Sequence, residues 1–170
     1  MGSERHPATL PTESLLENCV LHFTRRGGPG GQHRNKVETA VVVRHLPTGI
    51  QAEASERRSQ SENRRVAIHR LRLRLAIHCR REGDLPAETS ELWRSRLSNG
   101  RVRINPEHAD FPAMLAEGLD AVTAHGMELR SAAESLGCTT SQLVKLLHLE
   151  PQAWQFVNQQ RKEKGLHPLT

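Results

Sequence analysis

The chain has few of the residues from which small secreted folds, membrane anchors and hydrolytic triads are usually built. Its 170 residues include three cysteines, Cys19, Cys79 and Cys138. They are odd in number, far apart and without paired spacing, which argues against a disulfide framework and a zinc knuckle and makes a reducing compartment the expectation. No apolar stretch approaches the ~20 residues needed to cross a bilayer. Residues 1–17 have neither a signal-peptide core nor the acid-poor, arginine-rich character of a transit peptide, so the cytoplasm is the expected location and a membrane is not an expected partner. Gly2 does not open a myristoylation motif, because His6 stands where Ser or Thr is needed. Aspartate is limited to Asp84, Asp110 and Asp120, and no Ser/His/Asp arrangement emerges. The adjacent His78 and Cys79 would point about 100° apart on a helix, so they form neither a dyad nor a chelate. No metal or other cofactor is expected.

What the chain does have is Arg25-Arg26-Gly27-Gly28-Pro29-Gly30-Gly31-Gln32-His33-Arg34-Asn35-Lys36, four glycines and a proline around one glutamine between blocks of positive charge. Glycine reaches backbone conformations closed to other residues and lets main-chain amides approach a ligand. The flanking arginines suit a polyanion. The run lacks the Gly-Lys-Ser/Thr ending of a P-loop, and its spacing does not fit a dinucleotide fingerprint. Charge is divided unevenly along the chain. Residues 1–81 carry fifteen Lys/Arg against seven Asp/Glu, net +8, while residues 82–170 carry nine against twelve, net −3. Fourteen of the fifteen front-half cations are arginine, which favours forked contacts to phosphate oxygens, so the front half is the expected nucleic-acid face. The plainer alternative is a solvated charged surface.

The Gly30-Gly31-Gln32 tripeptide is followed in order by His45-Leu46-Pro47-Thr48-Gly49-Ile50 and by Arg58-Ser59-Gln60 with Asn63. Over residues 15 to about 80 this series resembles the catalytic domain of class I peptide chain release factors and their ribosome-rescue relatives. Two positions depart from that pattern. Arg34 stands where the family usually has a small apolar residue and Arg57 where it commonly has an acid, which makes the groove more basic. The resemblance implies ribosome-dependent hydrolysis of the ester joining a peptide to the terminal ribose of tRNA, with the large-subunit rRNA at the peptidyl transferase centre and peptidyl-tRNA as partners. It implies that Gln32 positions the water and that its main-chain amide stabilises the transition state. Gly30 and Gly31 act by shape, because a β-carbon would obstruct close backbone approach or forbid positive φ. Arg25, Arg26, Arg34 and Lys36 hold the loop against phosphates and Asn35 fixes its return path, with Arg57, Arg58, Arg64 and Arg65 as further RNA contacts. Gln32 is also expected to be an N-methylation target, with a glutamine methyltransferase as a further partner.

The expected fold is α+β: a small release-factor-like catalytic domain, antiparallel sheet plus long helix, followed by an all-helical C-terminal module. The domain reading is 1–81 catalytic, 82–112 connector around a short helix at Trp93, and 113–170 helical. Residues 19–25 alternate as a strand leading into the glycine loop. Residues 40–45 and 50–54 form a hairpin about Pro47-Thr48-Gly49. Ser59 or Ser61 caps a helix that ends near Arg81, its apolar stripe formed by Ala67, Ile68, Leu71, Leu75 and Cys79. Arg64, Arg65, Arg72 and Arg74 lie largely outside that stripe, facing RNA. Gly83, Pro86, Asn99-Gly100, Pro106 and Pro112 break the connector. Four helices follow, at 114–124, 129–136, 141–148 and 152–160. Ala133, Gly137 and Leu143 have helix-turn-helix spacing. Ser141, Gln142 and Lys145 are all that the second helix offers a nucleic acid, so packing or partner docking is favoured over DNA reading.

The segment before Arg25 is too short for a stop-codon-reading domain, which makes codon-independent rescue of stalled ribosomes the expected activity. The last residues are too few and too mixed in charge for the basic tail of small rescue factors, and the helical module is expected to take its place in sensing the ribosome. The alternatives are a non-catalytic RNA- or ribosome-binding protein and a helix-turn-helix adaptor or regulator.

Overall fold

The computed structural model describes residues 5–25, 39–81 and 85–170. Arg26, Gly30, Gly31, Gln32, Arg34, Asn35 and Lys36 lie outside the described residues, as do Gly83 and Asp84. The described chain is α+β, with seven α-helices, a three-stranded sheet and a two-stranded hairpin. It forms two compact units, Pro7–Leu75 in one and His6 with Ala76–Thr170 in the other. The division therefore falls within the long helix and not after it.

In the first unit, a short 3-10 turn (Pro7–Thr9) and α1 (Thr12–Glu17) precede the strands β1 (Cys19–Thr24), β2 (Ala40–His45) and β3 (Gln51–Ala54). The sheet order is β1-β2-β3, with both pairs antiparallel. Register places Leu21, Val43 and Ala52 across one row, and Phe23, Val41 and Ala54 across the next. Because strand side chains alternate, these two rows share a face. Val41, Val43, Ala52 and Ala54 are buried there, as are Ala67, Ile68, Leu71 and Leu75 of α2 (Gln60–His78). Alternation in the strands and three- and four-residue spacing in the helix thus produce one sheet-on-helix core. Ser59 caps α2, its Oγ accepting from the Glu62 amide at 3.4 Å.

Three arginines fasten this unit. Arg72 donates to the Ala8 carbonyl at 2.9 Å, Arg74 to the Gln51 carbonyl, and Arg70 to the Glu53 carbonyl at 2.9 Å and to Glu56. Arg72 and Arg74 were expected among the RNA-facing cations. Their guanidinium groups bond backbone carbonyls, that of Arg72 in the 3-10 turn and that of Arg74 at the start of β3.

The second unit contains α3 (Glu91–Arg96), the hairpin β4–β5 (Leu97–Ser98, Arg101–Val102), α4 (Phe111–Ala124), α5 (Leu129–Ser135), α6 (Thr140–His148) and α7 (Pro151–Glu163). Pro112 and Pro151 lie in the first turns of α4 and α7, where no helical amide bond is lost, so Pro112 starts a helix although the sequence reads it as a breaker. Asn99-Gly100 likewise joins two strands. Both residues have positive φ, 50° and 71°, the conformation of a tight hairpin turn. Trp93 is fully buried, its indole donating to the Leu136 carbonyl at 2.8 Å. Where α2 ends, Arg80 donates to the Ala76 and Ile77 carbonyls at 2.5 and 2.6 Å and pairs with Asp120 at 3.1 Å, so two of the last four carbonyls of the helix are satisfied by a side chain.

Cys19, Cys79 and Cys138 are free thiols, and burial pushes each of them above the ordinary thiol range. No helix among the described residues is long and apolar enough to cross a membrane.

Candidate functional site

The register of the sheet fixes the two points between which residues 25–39 run. Thr24, the last residue of β1, is paired with Ala40, the first of β2. Adjacent antiparallel strands therefore hold both ends of the glycine-rich segment, and Arg25 is exposed where the chain leaves β1.

Asn63 secures the return. It is completely buried in the first turn of α2, and its Nδ2 donates to the Thr39 carbonyl at 2.7 Å and to the Arg57 carbonyl at 3.0 Å. Its Oδ1 accepts from the Arg57 amide at 2.9 Å. One carboxamide thereby ties the residue just before β2 to the turn that carries Arg57 and Arg58. Asn63 belongs to the third sequence motif but has no role assigned by it. The signal that could have identified one is a single amide placed four residues after an Arg-Ser pair, in a turn rich in unsatisfied backbone groups.

Around this anchor Arg57, Arg58, Arg64 and Arg65 are exposed and have no carboxylate partner among the described residues. Glu56 is held in its charged form, chiefly by the Ser55 amide 2.8 Å from its Oε2 and also by Arg70, so its charge is already engaged. Glu62 is an exposed acid within the first turn of α2. The net result is a cationic rim at the end of the sheet where the glycine-rich segment begins and ends. Four exposed guanidinium groups there can form bidentate contacts with phosphate oxygens.

The second motif lies elsewhere. It occupies the far end of β2, about 17 Å along the strand from Ala40 at ~3.3 Å per residue. His45 is buried, its Nδ1 2.8 Å from the Thr48 hydroxyl, and its backbone exchanges bonds with Ile50 and Gly49, each at 2.8 Å. Desolvation lowers the His45 pKa, keeping the ring neutral. This motif closes the β2–β3 turn and contributes no group to the cationic rim. His6 is another buried imidazole, its Nε2 donating to the Cys79 carbonyl at 3.1 Å, and burial lowers its pKa also.

Replacing Asn63 with alanine would leave the Thr39 carbonyl and both Arg57 backbone groups without their partner. The expected cost is about 2 kcal/mol of unfolding free energy. Asn63→Asp, which puts carboxylate oxygen against two carbonyls, should cost at least as much. Urea titration of the three proteins checks this, and equal midpoints would show that the carboxamide is not needed.

Comparison with known proteins bears on residues 15–107, which match the family model described as the RF-1 domain. The chain is 35% identical over 113 residues to peptide chain release factor 1 of Symbiobacterium thermophilum, covering 66% of this chain and 30% of that protein. It is 48% identical over 73 residues to the chloroplastic peptide chain release factor PrfB1 of Arabidopsis thaliana, covering 40% and 16%. Against the mitochondrial peptide chain release factor 1-like protein of Mus musculus it is 48% identical over 91 residues, covering 51% and 23%. The chain thus spans less than a third of the length of each of these relatives. The matched segment takes up more than half of the chain and includes the sheet, α2 and both anchors of the glycine-rich segment. By that match, this chain belongs to the class I peptide chain release factor family.

Proposed function

We propose that this protein binds the ribosome and hydrolyses the ester of peptidyl-tRNA without reading a codon. The observation that carries the reading is the attachment of the Gly30-Gly31-Gln32 segment: the Thr24–Ala40 pair and the buried Asn63 fix its ends beside four exposed arginines. An ester of this kind is already activated. The protein must supply a placed water, exclusion of competing nucleophiles, and donors aimed at the developing oxyanion. A glutamine side chain cannot act as a base at neutral pH, but it offers one acceptor and two donors. Gln32 orients the water and its main-chain amide donates to the oxyanion, while Gly30 and Gly31 permit the approach. Arg25, Arg26, Arg34 and Lys36 hold the segment against phosphates, with Arg57, Arg58, Arg64 and Arg65 behind them. The remaining groups come from ribosomal RNA and the tRNA ribose.

The matched domain carries the Gly-Gly-Gln segment, and residues 108–170, beyond it, form α4 to α7. The test compares peptide release by the 170-residue protein from ribosomes presenting a stop codon, a sense codon or no codon. Equal rates on stop and sense codons are expected, and release confined to stop codons would replace this reading with conventional termination.

A further inference from the structure

We infer that the second unit carries its own RNA-phosphate-binding face, made by the β4–β5 hairpin and the outward side of α6. The inference rests on the ribosome being the site of action and does not depend on hydrolysis. α5 and α6 form a helix-turn-helix corner. Ala133 and Leu143 are buried in it, and Gly137, with φ 68°, terminates α5 while the Cys138 amide bonds back to the Ala133 carbonyl at 3.0 Å. Leu143, Leu146 and Leu147 bury one side of α6. Ser141, Val144, Lys145 and His148 follow at intervals of three, four and seven, so they share the opposite side, where with Leu149 they line a shallow groove. In corners of this type the outward side of the second helix is the one laid against a nucleic acid.

On its own α6 has one lysine, too little charge for such a role. The hairpin supplies more. Gly100 accepts from the Thr139 amide at 3.3 Å, and the Val102 amide donates to Gln142 Oε1 at 3.2 Å, which docks β5 against the start of α6. Val102 is partly covered, whereas Arg101 and Arg103 on either side of it are exposed and lack a carboxylate partner among the described residues. Gln142, counted in the sequence as a possible base reader, is occupied by this backbone bond. Acids are also absent from the two segments concerned: residues 97–106 and 135–149 contain none, although residues 82–170 are net −3. The nearest in sequence are Glu107, Glu134 and Glu150. Glu134 pairs with Arg130 and Glu150 caps α7. Three exposed cations without a carboxylate partner among the described residues, carried by two segments that contain no acid, fit a polyanion. With Ser141 and His148 as the remaining polar groups, the face suits sequence-tolerant contact to the phosphates of an RNA helix more than base reading.

The test is binding of the full chain to purified ribosomes and to a short RNA duplex, from about 50 to 200 mM salt, for wild type and the triple variant Arg101→Ala/Arg103→Ala/Lys145→Ala. Removing three phosphate contacts should lower affinity about tenfold or more and reduce the slope of log K against log salt by about 2.7 on the duplex. Arg101→Lys/Arg103→Lys should retain most of the binding, and the unfolding midpoint should not move. Unchanged RNA and ribosome affinity in the triple variant would overturn the inference, as would tighter binding to a DNA duplex of the same sequence. Binding that is salt-insensitive and lost on Val144→Asp would assign the face to a protein partner instead. Peptide release by wild type combined with unaltered ribosome affinity in the triple variant sinks this inference alone. Salt-sensitive binding through these cations without any peptide release sinks the hydrolysis reading alone.

Discussion

Gln32→Ala is expected to slow single-turnover peptide release about 100- to 1,000-fold while leaving ribosome affinity within about twofold of wild type. The range is what removal of one transition-state donor or positioning group typically costs, about 2.7–4 kcal/mol. The separation of rate from affinity follows from the division of labour proposed above. Binding is assigned to the cations: Arg25 beside β1, the arginines at 57, 58, 64 and 65 around Asn63, and Arg26, Arg34 and Lys36 within the segment. The glutamine contributes only when the ester is attacked. Measuring the release rate at saturating protein, together with the concentration that half-saturates it, separates the two effects. A variant that loses affinity in proportion to rate would show that Gln32 works by binding.

Trp93→Ala should be the most damaging single change to the second unit. It removes a fully buried side chain, for which the expected cost is about 3–5 kcal/mol. It also leaves the Leu136 carbonyl, at the turn between α5 and α6, without its 2.8 Å indole donor. Domains of this size are stable by only about 5–15 kcal/mol, so the loss is a large fraction of the total. A fall of about 12–40 °C in the unfolding midpoint is expected, at about 4–8 °C per kcal/mol. Thermal unfolding followed by circular dichroism reads it directly. Trp93→Phe, which keeps most of the volume and drops the hydrogen bond, should lose much less.

Much of the first unit was legible because its signals are local. Valine-rich alternation at residues 40–45, the Pro47-Thr48-Gly49 turn and the Ser59 cap each act within a few residues, and β2, β3 and α2 formed where those signals lie. The helix-turn-helix corner was readable for the same reason, since Ala133, Gly137 and Leu143 define it by spacing. Long-range hydrogen bonds were not readable. The bond from Asn63 to Thr39 spans 24 residues and that from Arg72 to Ala8 spans 64, and nothing in local composition separates an arginine that will bind RNA from one that will bind a carbonyl. The β4–β5 hairpin was missed because Asn99-Gly100 signals a turn without saying whether strands flank it, and each strand here has only two residues. α1 was missed as well. Its six residues are too few to show helical periodicity, and Leu15 alone reports the buried side.

The central claim is that this chain promotes attack of water on peptidyl-tRNA. Its most direct test is release of labelled peptide from ribosomes in water enriched in oxygen-18, with the wild-type protein. The account predicts ribosome-dependent release and one heavy oxygen in the new C-terminal carboxylate. Ribosome binding without release, or a released peptide lacking the label, would contradict it.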